Sequence, residues 1–236
     1  MMITIILVMY SEPELDSMVN QLGVYPLFEA VININNEYLR HNAFNKAITL
    51  LRSYENTYPG EFQARIEYAL AENYFYESTI MEARNQYMSM AQRHTASIEA
   101  NNALERLYQI EGMRTDTVIM KKIMYAICLF ETGRYDASKD SLLKLVNSKL
   151  GDHAYYFLAG VYRQLGDLPM ALGALLAIDE QFPNCRIIGL PILKAEIYID
   201  TKDREKAIMI LENFLVQDPI SVFAVKARQL LNKIRD

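Results

Sequence analysis

The sequence has little from which to build a covalent or metal framework. Its two cysteines, Cys128 and Cys185, stand 57 positions apart; they supply neither a disulfide network nor a thiolate zinc set, and both read as free thiols. The three histidines, His41, His94 and His153, are each more than 50 residues from the next, with no carboxylate or cysteine at ligand spacing, so no metal site is expected. A glycine-rich phosphate loop, a nucleophile elbow and an HExxH helix are all missing, which leaves no cofactor and no catalytic constellation to expect. Basic residues do not dominate: 24 Lys and Arg face 29 Asp and Glu, for a net charge of −5 and a pI near 5.4. No overall field favours nucleic acid or an anionic membrane. The longest apolar run, residues 2–10 (MITIILVMY), is nine residues, too short for a helix to cross a bilayer. Glycine (9) and proline (7) are scarce, and no Asn-Gly or Asp-Gly punctuates alternating apolar residues, so strands have nothing to turn on.

What remains is a 236-residue chain of ordinary globular composition, 51% hydrophobic and 22% charged, long enough for one or two buried cores. Ala, Leu, Glu, Lys, Arg and Gln with apolar residues at spacings of three and four predict an all-helical fold. The helices repeat. Five small residues, Ala47, Ala83, Ser138, Ala171 and Ala207, lie 36, 55, 33 and 36 residues apart, each following a short break-like segment. Nine residues before them stand Tyr38, Tyr74, Leu129, Tyr162 and Tyr198. Twelve before are Asn35, Ala71, Ala126, Ala159 and Ala195; four after are Leu51, Tyr87, Leu142, Leu175 and Leu211. Small residues let helices approach and large ones fill the space between. Twelve after three of the anchors come Pro59, Pro183 and Pro219, each a helix stop because proline lacks the N–H and disfavours a helical residue before it.

This helix, turn, helix and proline unit resembles the tetratricopeptide repeat (TPR), whose 34-residue pattern carries small residues near the middle of each helix, a late tyrosine in the first and a terminal proline. The likeness spans roughly residues 28–219. It departs from the pattern in lacking tryptophan throughout, in Asn35 at a small-residue position, and in repeats two and three, which lack the proline. The resemblance implies a right-handed α-solenoid of five units and a non-catalytic scaffold or adaptor role. The 55-residue interval adds one helix on the apolar face of Ala100, Ala103, Leu104, Leu107, Tyr108 and Ile110, and residues 112–117 read as a hinge. The expected organisation is an apolar segment and short helix at 1–27, repeats one and two at 28–95, the extra helix and hinge at 96–117, repeats three to five at 118–219, and a capping helix at 220–236.

The N-terminal run has the apolar core of a secretory signal but no Lys or Arg in residues 1–30 and a poor cleavage site at Tyr10-Ser11. It reads either as an export signal or as a first helix packing on the array. YPGEFQARIEYALAENYF and DPISVFAVKARQLLNKIR are similar to linkers of bacterial cell-envelope TPR proteins of the outer-membrane assembly and Tol-Pal-associated type, which implies an envelope compartment if the run is an export signal, and the cytoplasm otherwise.

In TPR arrays the first helix of each unit lines the concave groove, and the resemblance places Tyr68, Phe75, Ile123, Ile127, Phe130, Tyr156 and Arg163 there. Phe75 and Phe130 would be apolar anchors for a peptide or helix of a partner protein, and Arg163 would orient an acidic or carbonyl group. The competing reading is that these side chains pack onto neighbouring repeats. The positions matching a carboxylate clamp hold Ile32, Asn36, Ala69, Met120 and Met124, of which only Asn36 fits, so a mainly hydrophobic contact is expected. Two other classes stay open: a self-associating module that buries the same surface against a second copy, and a regulator closing on a peptide around Gly112. Glu12, Glu14 and Asp16 read as a solvated helix start, and the basic residues of 226–235 as a solvated face.

Overall fold

The computed structural model describes residues 10–235, and among them every regular element is a helix. The apolar run at 2–9 lies outside the described residues. In chain order the helices are α1 (Glu12–Gln21), α2 (Phe28–Arg40), α3 (Phe44–Tyr54), α4 (Glu61–Glu77), α5 (Ile80–Arg93), α6 (Ile98–Met113), α7 (Thr117–Glu131), α8 (Tyr135–Leu143), α9 (Gly151–Gln164), α10 (Leu168–Gln181), α11 (Leu190–Asp200), α12 (Arg204–Gln217) and α13 (Ala224–Arg235). Among the described residues no helix is long and apolar enough to cross a membrane.

One turn, used five times, carries the repeat. The residue five before each small anchor has a left-handed backbone: Asn42 (φ 57°), Ser78 (67°), Gly133 (78°), Gly166 (79°) and Lys202 (65°). In each case the next residue's N–H donates back to the carbonyl of the residue nine before the anchor. These bonds, Ala43 to Tyr38, Thr79 to Tyr74, Arg134 to Leu129, Asp167 to Tyr162 and Asp203 to Tyr198, measure 2.8–3.0 Å. That is the Schellman closure of a helix C-terminus, which satisfies carbonyls the helix would otherwise leave open. The second helix of each pair then begins within three residues. A lysine at left-handed φ strains its Cβ against the following carbonyl. Replacing the exposed Lys202 with glycine should therefore raise stability by about 0.5–1 kcal/mol, the relief exceeding glycine's entropic penalty. A higher thermal midpoint is the expected reading, and an unchanged or lower one would show that the turn is not strained.

The anchors pack as their size requires. Ala47, Ala83, Ser138, Ala171 and Ala207 are fully buried, and so are Ala71, Ala126, Ala159 and Ala195 on the first helices. Ser138 keeps its hydroxyl satisfied inside the stack by donating to the Ala126 carbonyl at 2.7 Å. Asn35 occupies the small-residue position of α2 by a different means: its Oδ1 accepts from the buried Asn73 Nδ2 on α4 at 2.7 Å. Pro183 and Pro219 fall two residues beyond the ends of α10 and α12.

The chain divides at Gln86/Tyr87, within α5, into two compact units. In the first, α1 to α4 pack each on the next, and α2 also meets α4. The acidic start of α1 ties it down: Asp16 accepts from the Tyr38 hydroxyl of α2 and from Lys46 Nζ of α3, both at 2.7 Å. Those hydrogen bonds, Lys46 first and Tyr38 second, hold the Asp16 carboxyl below its ordinary value. His41 meets the Tyr10 carbonyl at 2.7 Å. In the second unit the helices from α7 onward again stack in series, α7 reaching α9 and α9 reaching α11, while α13 closes the end on α11 and α12. Serial stacking of helix-turn-helix pairs is the architecture of an α-solenoid. Residues 112–117 form the last turn of α6, the short turn after it and the first residue of α7. Asp116 caps α7 at once, accepting from the Val118 and Ile119 N–H groups at 3.1 and 3.0 Å.

Candidate functional site

The expected contact residues separate into two groups. Phe75, Ile123 and Ile127 are buried, with 0%, 0% and 3% of their surface exposed, and offer no surface to a partner. In the second unit α7, which carries Ile123 and Ile127, is covered by its own partner α8 and by α9 of the next pair. Most of its circumference is therefore core, and an apolar residue there is driven inward. Tyr68, Phe130, Tyr156 and Arg163 are half-buried. Tyr68 belongs to the first unit. In the second, the Phe130 ring stands 5.6 Å from that of Tyr135 and packs on the α9–α10 core. Tyr156 and Arg163 share one face of α9, two turns apart.

On that face the second unit carries a row of charges. Arg163 Nη1 donates to Glu196 Oε2 of α11 at 2.9 Å and its Nε to Asp200 Oδ2 at 2.5 Å. Lys226 of α13 reaches the other Glu196 oxygen at 2.9 Å, and Arg106 of α6 reaches Glu131 of α7 at 3.3 Å. Partly exposed pairs add little stability, about 0–1 kcal/mol each, but a shared carboxylate between two cations fixes the direction of all three side chains. Glu105 lies beside this row and forms no ion pair among the described residues. Its carboxylate accepts from Asn101 Nδ2 at 3.0 Å. Burial pushes its pKa up, and the nearby Lys226 and Arg106 offset that only in part.

Below the row opens a cavity of about 590 Å³, walled by the second half of α6, the first half of α9, the α10–α11 loop and Phe223 at the head of α13. This is the size of a small-ligand or peptide side-chain pocket. Tyr108, Tyr156, Phe157 and Phe223 supply aromatic surface, and Lys149, Arg186 and Arg114 lie toward solvent. Burial raises the Tyr156 phenol, and the charges of Glu105 and Glu196 raise it further. Gly189 makes room for both rings: a Cβ there would lie 2.7 Å from the Tyr156 hydroxyl and 3.0 Å from the Phe223 ring. Gly112 admits the His153 ring, whose Nε2 would be 2.9 Å from an added Cβ.

At the α9 end of the cavity Asp152 gathers two groups. Its Oδ1 lies 2.9 Å from His153 Nδ1 and 2.8 Å from the His153 N–H. Burial alone would raise the carboxyl; the His153 ring and backbone, with the Cys185 thiol, outweigh it and hold the pKa below its ordinary value. Cys185 moves the other way: burial, together with the adjacent Asp152 charge, pushes the thiol up. A thiol so placed is kept protonated, the opposite of an activated nucleophile. Among the described residues no group of His, Cys, Asp and Glu could hold a metal ion. Sequence reading passed over Glu105, Lys149, Arg186 and this cluster. Only the adjacency of Asp152 and His153 is visible in the chain, and the partners come from elements tens of residues away.

No family model and no curated protein matches the sequence. Solved structures do. The TPR2AB domain of yeast Sti1 in its pHSP90 complex is 14% identical over 94% of this chain and 91% of that one, with a TM-score of 0.45. The APC/C hetero-tetramer Cut9-Hcn1 is 17% identical over 95% of this chain and 45% of that one, with a TM-score of 0.44. The nearly identical TPR-like repeats of a Podosopora anserina kinesin light chain are 16% identical over 94% of this chain and 99% of that one, with a TM-score of 0.36.

Proposed function

We propose that the chain is a non-catalytic scaffold of the TPR type, and that its second unit holds a peptide or helix of a partner protein on the face carrying Phe130, Tyr156 and Arg163. The observation that supports this most is the Arg163–Glu196–Lys226 row, three oriented charges on α9, α11 and α13 beside an aromatic-walled cavity. Pre-ordered polar groups flanking apolar pockets are what peptide recognition uses, because little further ordering is required on binding. Arginine and tyrosine are also the residue types that dominate such contacts.

A peptide display library selected on the full-length chain tests this. Selected peptides should bind the wild type and lose at least tenfold in affinity to both Arg163→Ala and Tyr156→Phe,Arg163→Ala, while circular dichroism shows both variants fully helical. Retained affinity in both variants would place the interaction elsewhere.

Self-association is a second reading with its own support. Val216, Ile220 and Val225 are 82%, 92% and 59% exposed around the α12–α13 junction, an apolar patch of the kind that marks an interface. Light scattering separates the readings: a partner-binding monomer stays near 27 kDa, and self-association requires a multiple of it.

A further inference from the structure

The cavity of the second unit has two electrically opposite ends. Along α6 the residues facing it run from Glu105 to Gly112, a rise of about 10 Å, and α9 runs beside them in the opposite sense. Glu105 acts on Tyr156, whereas Gly112 meets His153, one turn nearer the start of α9. At the Glu105 end the charges pair off as Arg106 with Glu131, Arg163 with Asp200 and Lys226 with Glu196. The Glu105 carboxylate is left in surplus. At the other end Asp152 is already engaged by His153 and Cys185, and Arg114 by Glu111 at 2.9 Å. Lys149 and Arg186, both lining the cavity, form no ion pair among the described residues. Lys149 precedes Asp152 by three positions and Arg186 follows Cys185, so both cations belong to the Asp152 end, where the carboxylates Asp152 and Glu111 are already engaged. Between the two ends lie the faces of Tyr108, Tyr156 and Phe157.

We propose that this cavity binds a dipolar stretch of a partner peptide, with a basic side chain seated toward Glu105 among the aromatic rings and an acidic group at the opposite end on Lys149 and Arg186. The proposal rests on the reading of the second unit as a peptide-binding scaffold. Ring faces attract a cation, and a half-buried carboxylate with no ion-pair partner gains one. A purely anionic ligand would use only the two rim cations, and a purely apolar one would leave Glu105 desolvated against it. In an extended peptide, side chains two positions apart share a face about 7 Å apart, and long side chains cover the rest of the span, so the matched pattern is a basic residue and an acidic residue two positions apart, in either chain direction.

The test is calorimetric titration of the full-length chain with end-capped Arg-Leu-Asp and with versions carrying Gln for Arg or Asn for Asp. The dipolar peptide should bind at least tenfold more tightly than either neutralised one. The preference for Arg over Gln should vanish in Glu105→Gln, and the preference for Asp over Asn should vanish in Lys149→Ala,Arg186→Ala. Each variant should leave the other preference intact, a pattern that a fold defect would not produce. Equal binding of all three peptides, or preferences that survive the variants, overturns the dipolar assignment. If library-selected peptides depend on Arg163 yet ignore both cavity variants, the cavity proposal fails and the scaffold reading stands. If neither those nor the dipolar peptide binds, both fail.

Discussion

Replacing Gly151 with alanine should destabilise the protein by about 3 kcal/mol, the upper end of what overpacking costs. In a chain of this length that is a fall of about 6–12 °C in thermal midpoint. Gly151 opens α9, and an added Cβ would lie 2.2 Å from the Val146 carbonyl oxygen and 2.6 Å from the Phe182 ring. A ring can tilt away, but a backbone carbonyl inside the α8–α9 connection can move only if that connection moves, and α9 is the helix that carries Tyr156 and Arg163. The matched control is Gly173→Ala in the exposed interior of α10, where the Cβ meets open space. There the helix gains about 0.5–1 kcal/mol. The same substitution should thus change sign between two glycines 22 residues apart in the sequence. A midpoint unchanged by Gly151→Ala would mean that the α8–α9 connection is soft enough to yield.

Phe75→Ala should be costlier, about 3–5 kcal/mol, a large share of the 5–15 kcal/mol that holds an ordinary domain together. Phe75 is wholly buried, so the alanine leaves a cavity. Phe75→Leu, which conserves most of the volume, should cost about 1 kcal/mol. Denaturant unfolding followed by circular dichroism reads both. If Phe75→Ala left the midpoint within about 2 °C while abolishing peptide capture, Phe75 would be a contact residue after all. Variants such as Arg163→Ala are the sounder probes of binding, because Arg163 is partly exposed and Lys226 still holds the Glu196 carboxylate when it is removed.

Phe75 also shows where sequence reading stops. The repeat itself was legible because every unit solves the same local problem. The helix must end, reverse and restart within a few residues, and that demands a residue tolerating left-handed φ, a small residue five later and a large one nine positions before it. Those demands act over a dozen residues and leave a periodic trace, even where Lys202 or Asn42 stands in place of glycine. The departures from the pattern had local solutions too, Ser138 finding the Ala126 carbonyl and Asn35 finding Asn73. Exposure is different, because it depends on what covers a helix from outside its own pair. Positions 8 and 11 before the anchors hold Phe75 and Ile127, which are buried, and also Arg163 and Glu196, which meet at the surface. The cavity was illegible for the same reason. Glu105, Lys149 and Arg186 lie in three separate elements, and nothing in the periodicity relates the extra helix α6 to the start of α9.

The five identical turns have a bearing on how the chain is made. Each closes within six residues, and the two helices it joins are complete some 30 residues after the first begins. Among the described residues, the helix contacts within each unit are between helices near one another in sequence. Contacts so short in sequence form quickly, and in a serial array each finished pair offers a surface on which the next can settle. During synthesis each unit can therefore assemble in the order it is translated, each hairpin docking within its own unit as it clears the ribosome, with only the newest apolar face briefly unprotected.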